Sequence, residues 1–216
     1  MAAGPDPLGC CQLFDARRAR SDARRYRRKG LDGHARPLVD YLRPRVAGAT
    51  LLEIGGGVGA VGIELLRAGA ARATNVELSP GYEAEAAALL AERGLADRVG
   101  RRVLDFAARP DAVAPADVVV MHRVVCCYPD MVGLVGPAAE RAGRLLGLTF
   151  PRGAWWVRWG IAAENLYQRL RGRAFRAYLH PPAAIVATAE SRGLRTAFDH
   201  TGLFWRSVVL TRPRSA

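Results

Sequence analysis

The chain has 216 residues, half of them hydrophobic and 24% charged, which is enough apolar material for one sizeable core and excludes a largely disordered chain. No apolar run approaches the roughly 18 residues that span a bilayer, and the start Met1-Ala2-Ala3-Gly4-Pro5-Asp6 lacks the basic and apolar regions of a secretory signal. The formal charge is +12, with Lys29 the only lysine among 32 basic residues, and it is unevenly spread: residues 1–48 carry 11 basic and 5 acidic groups, 49–150 carry 10 and 12, and 151–216 carry 11 and 3. Basic flanks attract an anionic substrate, an RNA or an acidic membrane surface, or are simply solvated arginine.

Phe14–Lys29 reads as a helix with Phe14, Ala19, Ala23 and Tyr26 near one face, broken by Gly30 and Gly33. A second helix is predicted over His34–Val46, with a kink or break at Pro44. From Thr50 the rhythm changes. Thr50–Ile54 is a short apolar strand, followed by Gly55-Gly56-Gly57-Val58-Gly59 and a helix that stops near Gly69. Ala73–Leu78 is a second strand, and Ser79-Pro80 opens a helix with serine as cap and proline in its first turn. Strands follow at Arg98–Leu104 and Asp117–His122, then a helix over Met131–Arg144 and a strand over Leu145–Phe150. An inserted helix is predicted over Ile161–Leu170, within about residues 158–172, then a helix over Pro181–Arg192 and two strands, Leu194–His200 and Leu203–Thr211. This alternation argues for a doubly wound α/β sheet ending in an antiparallel hairpin. Residues 1–48 form an N-terminal helical extension, and 49–216 the main domain.

The first strand–glycine–helix junction carries the chemistry. Backbone approaches a ligand closely only where there is no Cβ, and the following helix offers free N–H groups and a positive dipole end. Glu77, at the end of the next strand, is placed to accept both hydroxyls of a ribose. Gly57-Val58-Gly59-Ala60-Val61-Gly62 satisfies the dinucleotide fingerprint G-x-G-x-x-G, so a nicotinamide or flavin cofactor is one reading. Glu53 favours the other. A carboxylate near the loop suits a cationic amino acid group and repels a pyrophosphate.

Glu53-Ile54-Gly55-Gly56-Gly57-Val58-Gly59 resembles motif I of the class I S-adenosylmethionine (SAM)-dependent methyltransferases, E/D-x-G-x-G-x-G. The resemblance covers about residues 50–212. It implies a seven-stranded Rossmann-like sheet of order 3-2-1-4-5-7-6 with strand 7 antiparallel, SAM as cofactor and S-adenosylhomocysteine as product. Glu53, Gly55, Gly57 and Gly59 match motif I, Glu77 the ribose acid, and Asp105-Phe106 the place where this family holds adenine, with Gly56 and Leu78 as further expected cofactor contacts. Asp105 is otherwise a helix cap. The segments HRVVCCYPD (His122–Asp130), FPRGAWWVR (Phe150–Arg158) and FRAYLHPP (Phe175–Pro182) resemble a bacterial group labelled magnesium-protoporphyrin O-methyltransferase-like, which implies a small-molecule acceptor.

Methyl transfer from a sulfonium needs alignment and exclusion of water more than acid–base help. His122 is the candidate base or cofactor contact at the fourth strand end. Arg123 and Tyr128 are candidates for the acceptor side, arginine suiting a carboxylate. Trp155, Trp156 and Trp159 either stack on a flat acceptor or pack the inserted helix onto the sheet, and His180 is a further candidate facing the substrate. The extension is expected to cover the cofactor, with Tyr26, Arg28 and Lys29 reaching inward. The pairs Cys10-Cys11 and Cys126-Cys127 form no secreted disulfide framework, so a reducing cytoplasm is expected. They also lack the C-x₂₋₄-C spacing of a metal site, so none is expected. The expected activity is methylation, most readily at oxygen, of a small anionic or aromatic acceptor. Its rivals are an RNA methyltransferase using the basic flanks and a SAM-binding protein that transfers no methyl.

Overall fold

The computed structural model describes residues 8–213. Seven strands, β1 (Thr50–Ile54), β2 (Arg72–Glu77), β3 (Val99–Val103), β4 (Ala116–His122), β5 (Ala142–Pro151), β6 (Arg195–Thr201) and β7 (Trp205–Thr211), form one sheet in the order β3-β2-β1-β4-β5-β7-β6. β1 to β5 run parallel, and β7 is antiparallel to both β5 and β6, as the motif resemblance implied.

The helices are α1 (Cys10–Leu13), α2 (Ala16–Lys29), α3 (Arg36–Leu42), α4 (Ala60–Arg67), α5 (Glu83–Glu92), α6 (Met131–Arg141), α7 (Trp155–Leu170) and α8 (Pro182–Glu190). Successive residues of a strand point to opposite faces, so a run apolar at every position is buried on both. β4 shows this directly. Val118 and Val120 enter a core shared with α2, α3, α4 and α5, while Val119 and Met121 enter one shared with α6 and α8. The N-terminal segment belongs to the first core: Ala19, Ala23 and Tyr26 of α2 and Leu38, Val39 and Leu42 of α3 are all buried in it.

The differences from the sequence reading are local. Asp15 caps α2, its carboxylate accepting from Arg18 N at 2.8 Å, so the helix starts at Ala16 rather than Phe14. At Pro44 the second helix tightens into a 3₁₀ turn, Arg43–Arg45. α6 ends at Arg141 because Ala142 is already paired with Ala116 of β4. α7 begins six residues earlier than Ile161 and runs through Gly160, whose helix penalty of roughly 1 kcal/mol is too small to end it.

β1 and β4 are sheet neighbours whose connections depart to opposite sides, β1 through α4 to β2 and β4 through α6 to β5. The crevice beyond their carboxyl ends is the topological switch point, where doubly wound sheets bind ligands.

Candidate active site

At that switch point lies a cavity of about 640 Å³. Its floor is the glycine loop. Gly55, Gly57 and Gly59 have φ of 65°, 54° and 81°, left-handed values that cost a side chain-bearing residue roughly 1–2 kcal/mol each. At Gly55 a Cβ would also lie 2.5 Å from Val124 Cγ2. The loop therefore needs glycine for its turn and for its closeness to the β4 end.

Glu77 anchors the loop. Its two carboxylate oxygens accept from Gly57 N at 2.8 Å and Ser79 N at 2.9 Å, and burial holds its pKa above the ordinary carboxylate value. Arg101, on β3, ties the same loop to α5. It donates to Gly57 O at 3.2 Å and to Glu83 at 2.7 Å.

Glu53 does not reach the cavity wall. It shares a strand face with Leu51, on the α4 side of the sheet, and accepts from Asn75 Nδ2 at 2.9 Å and Gly62 N at 3.2 Å. The motif acid thus braces the loop from behind rather than facing a ligand's amino group. Burial pushes its pKa up to about 7. Gly59 likewise lies off the wall, as the N-cap of α4.

The remaining predicted cofactor residues, Gly55, Gly56, Gly57, Glu77, Leu78, Asp105, Phe106, His122 and Tyr26, all line the cavity. Asp105 does two things at once. Oδ1 accepts from Ala107 N and Ala108 N, the capping geometry, while Oδ2 accepts from the Tyr128 hydroxyl at 3.3 Å. Tyr26 turns its hydroxyl away, donating to Glu64 at 2.7 Å.

Three buried side-chain polar atoms lack a protein partner among the described residues, Asn75 Oδ1, Arg101 Nη1 and His122 Nδ1, and of these residues only His122 lines the cavity. Burial, and then the Arg123 charge, lower its pKa to about 4, so the imidazole is neutral at pH 7.

Arg123 sits at φ 61°, the only side chain-bearing residue with positive φ among the described residues. Its guanidinium pairs with Asp32 at 3.2 Å and lies 4.6 Å from the centre of the Trp205 ring. Arg25 also pairs with Asp32, at 3.0 Å. Burial of Asp32 opposes ionisation, but the His34 N–H, Arg25 and Arg123 together hold its pKa below the ordinary value. Arg123→Gly is expected to unfold at a higher temperature than Arg123→Ala, by the equivalent of about 1 kcal/mol, because only glycine relieves the left-handed backbone. Equal midpoints in thermal unfolding would dismiss that strain.

Three predicted substrate residues stand elsewhere. Trp155 and Trp156 lie on the first turn of α7, 70% and 39% exposed, their rings edge-on at 5.7 Å and outside the cavity wall. His180 is also off the wall, its Nε2–H donating to the Tyr128 carbonyl at 2.9 Å. Phe14, Phe175, Phe204 and Trp205 join Tyr26, Tyr82, Phe106 and Tyr128 in the aromatic lining. From α2 the inward residues are Arg18, Asp22 and Arg25 beside Tyr26, while Arg28 and Lys29 are exposed. Tyr82 was not anticipated either. It stands against Gly57 and donates to Asp22 at 2.8 Å. Cys10, Cys126 and Cys127 also line the cavity.

No protein-family model matches the chain, and no curated protein matches it in sequence. Solved structures do. Magnesium protoporphyrin IX methyltransferase from Synechocystis PCC 6803, with bound S-adenosylhomocysteine, superposes with a TM-score of 0.70 at 20% identity, over 94% of this chain and 99% of that one. An O-methyltransferase family protein from Burkholderia thailandensis gives 0.71 at 18% identity, over 98% of this chain and 65% of that one. Mitomycin 7-O-methyltransferase gives 0.62 at 24%, over 94% and 60%. The strand order, the glycine loop at the switch point and these superpositions agree: the chain has the fold of the class I SAM-dependent methyltransferases.

Proposed function

We propose that this protein is a SAM-dependent methyltransferase that methylates a small anionic or aromatic acceptor, at oxygen. The observation that carries the reading is the pairing, in one cavity, of Glu77 beside the left-handed glycine loop with the unpartnered His122. The residues fit the cofactor. Each Glu77 oxygen holds one backbone N–H, and a carboxylate has about four lone-pair sites, so capacity remains for two ribose hydroxyls. Leu78, Asp105 and Phe106 lie next to it for an adenine, and the glycine loop admits backbone contact with the methionine portion. Bound there, SAM supplies an electrophilic methyl group on its sulfonium and leaves as S-adenosylhomocysteine.

The acceptor side is argued from charge and shape. Arg18, Arg25 and Arg123 line the cavity, and a guanidinium there can pair with an anionic acceptor. Phe175, Phe204 and Trp205 offer apolar faces to a flat one. The neutral His122 ring can take a hydrogen bond from an acceptor hydroxyl, hold it in line, and receive its proton.

The test is transfer of labelled methyl from SAM in a lysate of the source organism, sorted into organic-extractable, RNA and protein fractions. Label in the organic fraction supports the proposal. Label in RNA would replace it with the rival that uses the outward arginines of α2. SAM binding without label in any fraction would favour a non-transferring protein. On the recovered acceptor, His122→Ala should lower kcat about a hundredfold. The wild-type rate should fall on its acid limb near pH 4, because the neutral ring is the working form and its pKa lies below the free value of 6.5. An acid limb near 6.5 would contradict the burial argument, and an unchanged kcat would reduce His122 to a wall of the cavity.

A further inference from the structure

We propose that the outer face of α7 docks on the surface of an anionic lipid bilayer. The helix is inside-out for a globular protein. At about 100° per residue, Trp155, Trp159, Leu166 and Leu170 fall within roughly 60° of one another. That stripe is in water, with exposures of 70%, 72%, 58% and 78%. The opposite side carries Val157 and Gln168, both buried. Leu203, in the turn between β6 and β7, is a further exposed apolar side chain, at 81%. Its neighbour Phe204 lies against Gly160, 3.6 Å from where a Cβ there would stand.

Charge selects the occupant. Six arginines lie between residues 152 and 176, against the single carboxylate Glu164. Glu164 accepts from Gln168 at 2.6 Å and borders the cavity. Arg152 and Arg171 lie over the Trp156 and Tyr167 rings, at 5.1 and 5.9 Å. Tryptophan stacked beside arginine around an apolar stripe suits the boundary between lipid headgroups and acyl chains. Arginines beside that boundary are drawn to anionic lipids. A second copy of the same face would set arginine against arginine, which opposes self-association. α7 has 16 residues, and no helix among the described residues is long and apolar enough to cross a membrane, so the helix lies in the interface plane. None of this depends on methyl transfer.

The test mixes the full chain with vesicles of equal parts phosphatidylglycerol and phosphatidylcholine, and with vesicles of phosphatidylcholine alone. The chain should co-sediment with the first and not the second. Its tryptophan emission should move to the blue, and binding should weaken as salt rises. Leu166→Ser/Leu170→Ser keeps Trp155, Trp156 and Trp159 as reporters and changes only exposed positions. It should keep its circular dichroism and thermal midpoint while its vesicle affinity falls tenfold or more, about 1.4 kcal/mol. Failure to sediment with the anionic vesicles would overturn the proposal. So would a double variant that binds them as tightly as wild type, or a dimer in sedimentation equilibrium that the double variant splits without vesicle binding.

Discussion

Glu77→Ala is expected to weaken SAM binding at least tenfold, about 1.4 kcal/mol or more, in isothermal titration. The side chain serves both the protein and the proposed ligand. Removing it frees Gly57 N and Ser79 N beneath a side chain that is 8% exposed, and each charge-assisted bond lost is worth roughly 1.5–3 kcal/mol. The loop then loses its anchor as well as the group facing the ribose. Glu77→Gln separates the two contributions. Its amide oxygen keeps one acceptor, so it should recover part of the stability while binding stays weak. Titration of Glu77→Ala with wild-type affinity would remove the cofactor from this strand end.

The second large effect is steric. In Gly56→Ala the new methyl would stand 2.1 Å from Asn75 Nδ2 and 2.8 Å from Glu53 Cδ. Neither side chain can yield cheaply: Asn75 is 1% and Glu53 4% exposed, and they are bonded to each other at 2.9 Å. Over-packing of this kind costs about 1–3 kcal/mol, which for a chain of this length lowers the thermal midpoint by about 2–12 °C. The displaced brace should also distort the loop and weaken SAM tenfold or more. Gly33→Ala is the control, since a Cβ there meets nothing within 4 Å. If both variants melted with wild type and bound SAM equally, the bracing role of Glu53 and Asn75 would fall.

What the sequence revealed was what is local. The strand, the glycines, the acid at the next strand end and the Ser79-Pro80 start lie within a few tens of residues, and each obeys a short-range rule. Even there, the motif showed that Glu53 mattered without showing its direction. Strand alternation supplies that direction, since Glu53 sits two residues from Leu51 on the α4 face. The rest of the cavity is assembled from distant segments. Tyr82 meets Asp22 across 60 positions, and Arg123 meets Asp32 across 91. Trp205 becomes a wall because β7 pairs with β5 and brings it opposite Pro151. Periodicity could not orient α7, because an apolar stripe at helical spacing reads the same whether it faces core or water. That ambiguity led to Trp155 and Trp156 as pocket residues, when Phe204 and Trp205 occupy the wall.

The contacts that fasten α2 have a kinetic meaning. The Tyr26 and Tyr82 hydroxyls reach Glu64 and Asp22, Ser79 Oγ reaches the Phe14 carbonyl at 2.5 Å, and Arg27 grips Glu92 at 2.7 Å. Together they stitch the N-terminal segment over the cavity like a seam. On the proposed activity, parting of that seam widens the way out for spent cofactor. Durability and turnover are then set by the same few bonds: tightening them yields a longer-lived, slower catalyst, and loosening them a faster, more fragile one.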